Sequence, residues 1–262
     1  MKSFIIFVVL ILTLSLDLMG QGDHYNKFSI SISSGGAIPV GSYANMDIIN
    51  SAIFTPENVQ NPWVIGIDKS KSGFAELGHF VNLGLNYNLS QSIDLNLQMG
   101  YSSNSVSTDG ITQFLTTNFG NQKFEHDDYK IFHVAPGLGY KIMIGSFNFV
   151  VGVHSGLAIT NYPYYQSILL FTTTDPPQIW AHDGDRSSLK ALFIGTSINI
   201  NYQFSPKINL GVDLAYQSSN FEYSMRTRVI PGVSPNPEIS DVLKASILNI
   251  GFKLQYNFTR KQ

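Results

Sequence analysis

Two clusters in this chain hold the residue types that hydrolysis requires. Glu125-His126-Asp127-Asp128 and His182-Asp183-Gly184-Asp185 each set an imidazole among carboxylates. A histidine can act as general base toward water while carboxylates orient it. The Asp-Gly-Asp run lacks the further oxygen ligands of a calcium loop. His133 and His154 share the polar face of two consecutive alternating segments, and a hairpin would bring them within about one residue pair. A zinc site there would need a third and fourth ligand. No inward carboxylate falls beside them, and the chain has no cysteine. Lack of cysteine also removes thiol catalysis, thiolate metal sites and disulfides. The clusters read as a solvated acidic rim, the histidines as polar core, and no metal or organic cofactor is expected.

Four further charges lie on polar faces. Asp94 and Lys141 fall low on neighbouring segments, and Asp213 and Lys253 fall at matched heights on the last two. They are expected to form two ion pairs inside a filled structure. Apolar groups also occur where links should be polar: Trp63 and Ile65 in the first long link, Leu169, Phe171, Ile179 and Trp180 in the third. Such groups must be covered, either by the links packing on one another or by a docking partner, for which tryptophan is a favoured anchor.

The elements that must position these residues are eight segments of strict period two, which is strand periodicity. They centre on Phe28–Ile32, Val81–Tyr87, Ile93–Tyr101, Phe132–Ile142, Phe147–Leu157, Leu192–Phe204, Ile208–Tyr216 and Leu248–Phe258. Each is roughly ten residues long, enough to cross a bilayer when tilted. Links alternate between long and short. The short ones are Leu89 to Ser92, Met143 to Ser146 and Ser205 to Lys207; the long ones run from Ser34 to Phe74, Ser103 to Asp128, Tyr162 to Ser188 and Ser219 to Leu243. Pro136, inside the fourth segment, cannot donate to a ladder, so a bulge is expected there.

The composition of the two faces decides between a soluble barrel and a membrane one. The apolar face carries no charge through the core of any segment, and its polar exceptions are Ser155 and Thr196. The other face is asparagine, glutamine, glycine and serine, which suits a crowded barrel interior better than water. Phe28, Tyr87, Tyr140, Phe147, Tyr202, Phe204, Tyr256 and Phe258 gather at the short-link ends; Tyr101, Phe132 and Tyr216 gather at the long-link ends. Two aromatic girdles are what interfacial anchoring produces. Charged residues are only 13 % of the chain and the net charge is -2, so no basic field points to nucleic acid. Lys2, the apolar run Phe4 to Leu16 and Gly20 read as a secretory signal over residues 1–20, leaving 21–262 as the barrel domain.

With this signal, loop rhythm, closing strand and the Gly/Pro exit Gly35-Gly36-Ala37-Ile38-Pro39, the chain resembles the small eight-stranded outer-membrane β-barrel family, which includes OmpX, the OmpA membrane domain and PorT-like proteins. Two departures stand out. Thr259 to Gln262 follow the terminal aromatic Phe258, and no peptidoglycan-binding domain follows, so an anchoring role is not implied. The resemblance implies an all-β, transmembrane up-and-down antiparallel barrel in the bacterial outer membrane, with periplasmic termini and four long extracellular loops. Its expected surroundings are outer-membrane lipid and lipopolysaccharide. The expected role is non-enzymatic, with loops presented for binding, as an accessory subunit of an outer-membrane complex or a surface-interaction protein. The alternatives are a small-solute channel and, less well supported, a rim-located hydrolase; a lipid-face deacylase would need a His-x-Ser pair that is absent.

Overall fold

The computed structural model describes residues 27–54, 64–120, 122–169, 178–183, 188–227 and 238–258. In chain order the strands are β1 (Phe28–Pro39), β2 (Ala52–Phe54), β3 (Val64–Ile67), β4 (Gly78–Asn88), β5 (Ile93–Asn104), β6 (Gln122–His126), β7 (Tyr129–Ile144), β8 (Phe147–Thr160), β9 (Tyr165–Leu169), β10 (Gln178–Asp183), β11 (Leu189–Gln203), β12 (Ile208–Thr227) and β13 (Glu238–Phe258). A 3-10 turn (Gly41–Tyr43) and two helices, α1 (Ile48–Ser51) and α2 (Asp109–Phe119), lie in the long connections. Eight strands pair antiparallel in the order β1, β4, β5, β7, β8, β11, β12, β13. The ring closes between β13 and β1, from Phe28 opposite Phe258 to Pro39 opposite Ile247.

Alternation around this ring follows from the pleat, which sends successive side chains to opposite faces. Along β11, Ala191, Phe193, Ser197, Asn199 and Asn201 are buried, while Leu192, Ile194, Ile198, Ile200 and Tyr202 between them are exposed. An apolar surface that surrounds the whole barrel has no place in water; it is the surface of a transmembrane barrel. Exposed aromatics edge it, with Tyr140, Phe147, Tyr202 and Phe258 toward the short turns and Tyr101, Phe132 and Tyr216 toward the long loops.

Above Tyr216 the pattern inverts. The apolar side chains Phe221, Tyr223, Leu243 and Ile247 are buried inside, and the outward positions become Asn220, Glu222, Ser240 and Lys244. The region from Ser219 to Leu243, expected as a loop, is therefore largely strand, continuing to Thr227 and resuming at Glu238. β12 and β13 have 20 and 21 residues, about twice what the bilayer requires. Period two persists while the faces exchange character, because these strands leave lipid for water around a new interior.

Pro136 makes no bulge. Its register with β5 runs unshifted, with Leu97 opposite it, and β7 stays in one register with β8 on both sides. Only Ala135 and Pro136 drop out of the β7–β8 pairing. The missing donor thus faces β8 and costs a gap in the ladder without adding a residue. The β7–β8 turn is two residues, with Gly145 at φ 59°. That tight turn sets His133 opposite Ala158 and His154 opposite Gly137. The histidines are consequently four positions apart along the ladder, not the single pair that the longer turn implied.

Candidate functional site: a loop cap over a polar lumen

The long connections fold over one end of the barrel and share a core. β10 continues the barrel sheet by pairing His182 with Thr227, β9 pairs with β10, and β6 pairs with β9. The free edge of β6 is covered by α2. Thr112 Oγ1 accepts the Phe124 N–H at 3.1 Å, and the Thr116 hydroxyl donates to the Gln122 carbonyl at 3.0 Å. An edge covered in this way cannot recruit a foreign strand. Ile67, Phe74, Ile111, Leu115, Phe124, Tyr129 and Tyr165 are all buried in the cap core, continuous with Phe80 and Phe193 in the barrel mouth.

One lysine lies where all four loops meet. Lys69, just after β3, is 1 % exposed. Its ammonium lies 4.9 Å from the ring centroid of Tyr165 and 5.8 Å from that of Tyr129. Its backbone N–H donates to Asp241 Oδ2 on β13 at 2.9 Å, and the Tyr223 hydroxyl on β12 donates to the same oxygen at 2.7 Å. The Ile67 N–H donates to the Tyr165 hydroxyl at 3.0 Å, and the Tyr129 hydroxyl donates to the Gly73 carbonyl at 2.8 Å. Tyr43 packs on Tyr129 with centroids 5.2 Å apart. Burial drives the Lys69 ammonium down to a pKa of about 7, against the opposing pull of Asp241. Burial likewise raises the Tyr43, Tyr129, Tyr165 and Tyr223 phenols, so they stay protonated donors.

The residues singled out from sequence fall in several places. Trp63 and Phe171 lie outside the described residues, and of Ile65, Leu169, Ile179 and Trp180 the structure describes the backbone alone, in β3, β9 and β10. His126 lies in the cap, stacked on Tyr165 with rings 7° apart and edge-on to Tyr129, its Nδ1 2.5 Å from the Asp127 carbonyl. His182 occurs on β10, its backbone opposite Thr227. Among the described residues no group of three His, Asp or Glu could hold a metal ion.

Asp94, Lys141, Asp213 and Lys253 all line one cavity within the barrel. Asp94 faces Gly139 and Asp213 faces Gly251; each lysine occupies the next inward position of the strand bearing that glycine. Their hydrogen bonds go to neutral groups. Ser33 donates to Asp213 at 2.6 Å, Lys141 to Asn88 at 2.5 Å and Lys253 to Asn199 at 2.9 Å. Among the described residues, oppositely charged side chains touch only in the loops, at Lys71–Asp68 and Lys123–Glu125. The four lumen charges share a polar cavity without closing into two contact pairs.

Sequence reasoning missed Lys69, which stands between Asp68 and Ser70 in what reads as a solvated turn. The signal available was the run of tyrosines near loop ends, Tyr43, Tyr129, Tyr162, Tyr165 and Tyr223, too many for a water-facing surface.

No protein-family model matches the chain. No curated protein matches it either. Solved structures with a similar chain path are outer-membrane proteins. OprG of Pseudomonas aeruginosa aligns over 90 % of this chain and 99 % of its own, at 12 % identity and TM-score 0.48. Neisserial surface protein A aligns over 90 % and 100 % at 7 % identity and TM-score 0.39. Ail, the attachment invasion locus protein of Yersinia pestis, aligns over 87 % and 99 % at 11 % identity and TM-score 0.37. On its own strand pairing and lipid-facing belt, this chain is an eight-stranded up-and-down transmembrane β-barrel, the architecture of the small outer-membrane barrels.

Proposed function

We propose that the protein is a non-enzymatic component of the bacterial outer membrane whose loop cap is a binding platform outside the cell. It serves there as an accessory subunit of an outer-membrane complex or as a surface-interaction protein. The short turns and both chain ends face the periplasm, and the belt contacts outer-membrane lipid and lipopolysaccharide.

The observation that carries this reading is a cap with its own shared core that still displays large apolar side chains. In the first loop Met46 is 50 %, Ile49 74 % and Phe54 44 % exposed, above the lipid belt. The Phe54 ring lies 6.4 Å from that of Phe119 on α2, which in turn packs on Phe114. Apolar groups on a firm support are what a partner buries at the centre of an interface. The hydrolase reading is weaker, since the His126 ring is engaged in packing Tyr129 and Tyr165.

Crosslinking and pull-down from intact outer membranes test the proposal. A stoichiometric protein partner is expected, retained by the parent chain and lost on Ile49→Asp, Trp63→Ala or Trp180→Ala. Repeated recovery of the barrel alone, with or without these changes, would sink it.

A further inference from the structure

The lumen beneath the cap is hollow, and its two ends differ. About 50 Å³ is free for the centres of water molecules, where one water requires roughly 10–15 Å³. At the short-turn end the inward side chains of Asn86, Asn88, Lys141 and Asn148, on β4, β7 and β8, are partly exposed, while Ser29, Asn201, Asn209 and Asn257 on the other strands are buried, so the opening lies to one side. At the loop end Phe80 is 0 %, Ser102 1 %, His133 1 % and Phe193 3 % exposed. The Phe193 ring stacks on His133 with centroids 4.2 Å apart and planes 12° apart. Phe80, Ser102 and Ile131 sit side by side at this level on β4, β5 and β7. The polar cavity therefore ends at a close-packed septum, in which the Ser102 hydroxyl and both His133 ring nitrogens are themselves without protein partners, and above which the cap core begins.

The cavity wall also holds polar atoms that the protein does not satisfy. Both amide atoms of Asn82, and Oδ1 of Asp94, Asn96 and Asn148, are buried with no protein partner, and all four residues line the cavity. Asn82 and Asp94 are 4 % and 5 % exposed. Buried polar atoms are nearly always hydrogen-bonded, to water where not to protein. Two carboxylates and two ammoniums in one wall carry no net charge, so the cavity has no overall bias toward cations or anions. Its chemistry is that of an amide-lined site for neutral hydrogen-bonding molecules.

We propose that the lumen is an aqueous vestibule, open toward the short turns and dead-ended at Phe80, His133 and Phe193, which admits water and small neutral polar solutes and passes none of them to the loop side. The barrel is thus a half-channel, independently of what the cap binds.

The absence of cysteine permits a direct test, with single cysteines reporting access in the folded barrel. Ser31 lines the cavity, and Ser102 lies in the septum. Iodoacetamide, small, neutral and polar, is expected to modify Ser31→Cys completely under conditions that leave Ser102→Cys untouched. Heat-dependent gel mobility confirms that each variant is folded. Adding Phe193→Ala to Ser102→Cys is expected to bring position 102 within reach. Planar bilayers holding the parent chain are expected to show no steady conductance. An unreactive Ser31→Cys would overturn the vestibule. Reaction at Ser102→Cys in the parent background, protection that persists with Phe193→Ala, or steady conductance by the parent would overturn the septum.

Discussion

Replacing Lys69 by methionine should tighten the loop cap at neutral pH and remove its dependence on pH. The lysine is sealed among Tyr129, Tyr165 and Asp241, and burial lowers its pKa from 10.5 to about 7. When the loops separate, the side chain regains water and its ordinary value. Between pH 7 and 10.5 the open form consequently binds more protons than the closed one. The closed form then gains stability as pH rises through that window, and the gain is complete above 10.5. At about 1.36 kcal/mol per pKa unit, bringing the pH down to 7 costs the closed cap on the order of 4 kcal/mol. This is an upper bound, because an opened loop need not expose the ammonium fully. Methionine is similar in length and carries no charge. It forfeits the cation–π contacts, worth roughly 2 kcal/mol when desolvated, and escapes the larger penalty. The assay is limited proteolysis of the folded barrel from pH 7 to 10, each rate normalised to cleavage of a free peptide of the same loop sequence. For the parent chain, opening should become up to about tenfold rarer per pH unit. For Lys69→Met it should be flat with pH and slower at pH 7. A parent chain indifferent to pH, or a methionine variant cut faster at pH 7, would show that the buried ammonium does not oppose closure.

Two further outcomes follow from the barrel. Ile198 is 48 % exposed on the lipid face in the middle of β11, so Ile198→Lys should cost about 2–4 kcal/mol in bilayer unfolding measurements. The control Asn220→Lys, outward on β12 above the Tyr216 girdle, should stay within about 0.5 kcal/mol. At the β1–β13 seam, a Cβ on Gly35 would lie 2.1 Å from the Ile250 carbonyl oxygen and 2.5 Å from the Gly251 Cα. These are backbone atoms that cannot swing aside, so Gly35→Val should destabilise the barrel by about 1–3 kcal/mol or more in urea titrations.

Much of the barrel was legible because its cause is local. A pleated strand between lipid and a tight polar interior must alternate, and the charge-free apolar face of residues such as Ile194, Ile198 and Leu210 stated which solvent lay outside. The aromatic ends and the short links were local signals as well. Between Ser219 and Leu243 the loss of an apolar outer face looks like the loss of a strand, and is not. Phe221, Tyr223, Leu243 and Ile247 keep the strand period and face inward. Only the folded cap supplies the interior that makes this sensible. Pro136 misleads for a related reason, because whether a missing donor disturbs the register depends on which neighbouring strand it faces.

Local alternation is enough to establish the eight membrane segments, the side each turns to lipid, and the polar character of the lumen. Each rests on neighbours two residues apart meeting one solvent. Where the lumen ends, that its four charges share a cavity without contact pairs, and that Lys69 joins the four loops emerge only in the folded chain. Those facts rest on contacts such as that between Lys69 and Asp241, 172 residues apart. Burial of that kind comes from surfaces that different loops bring together, which no local periodicity records.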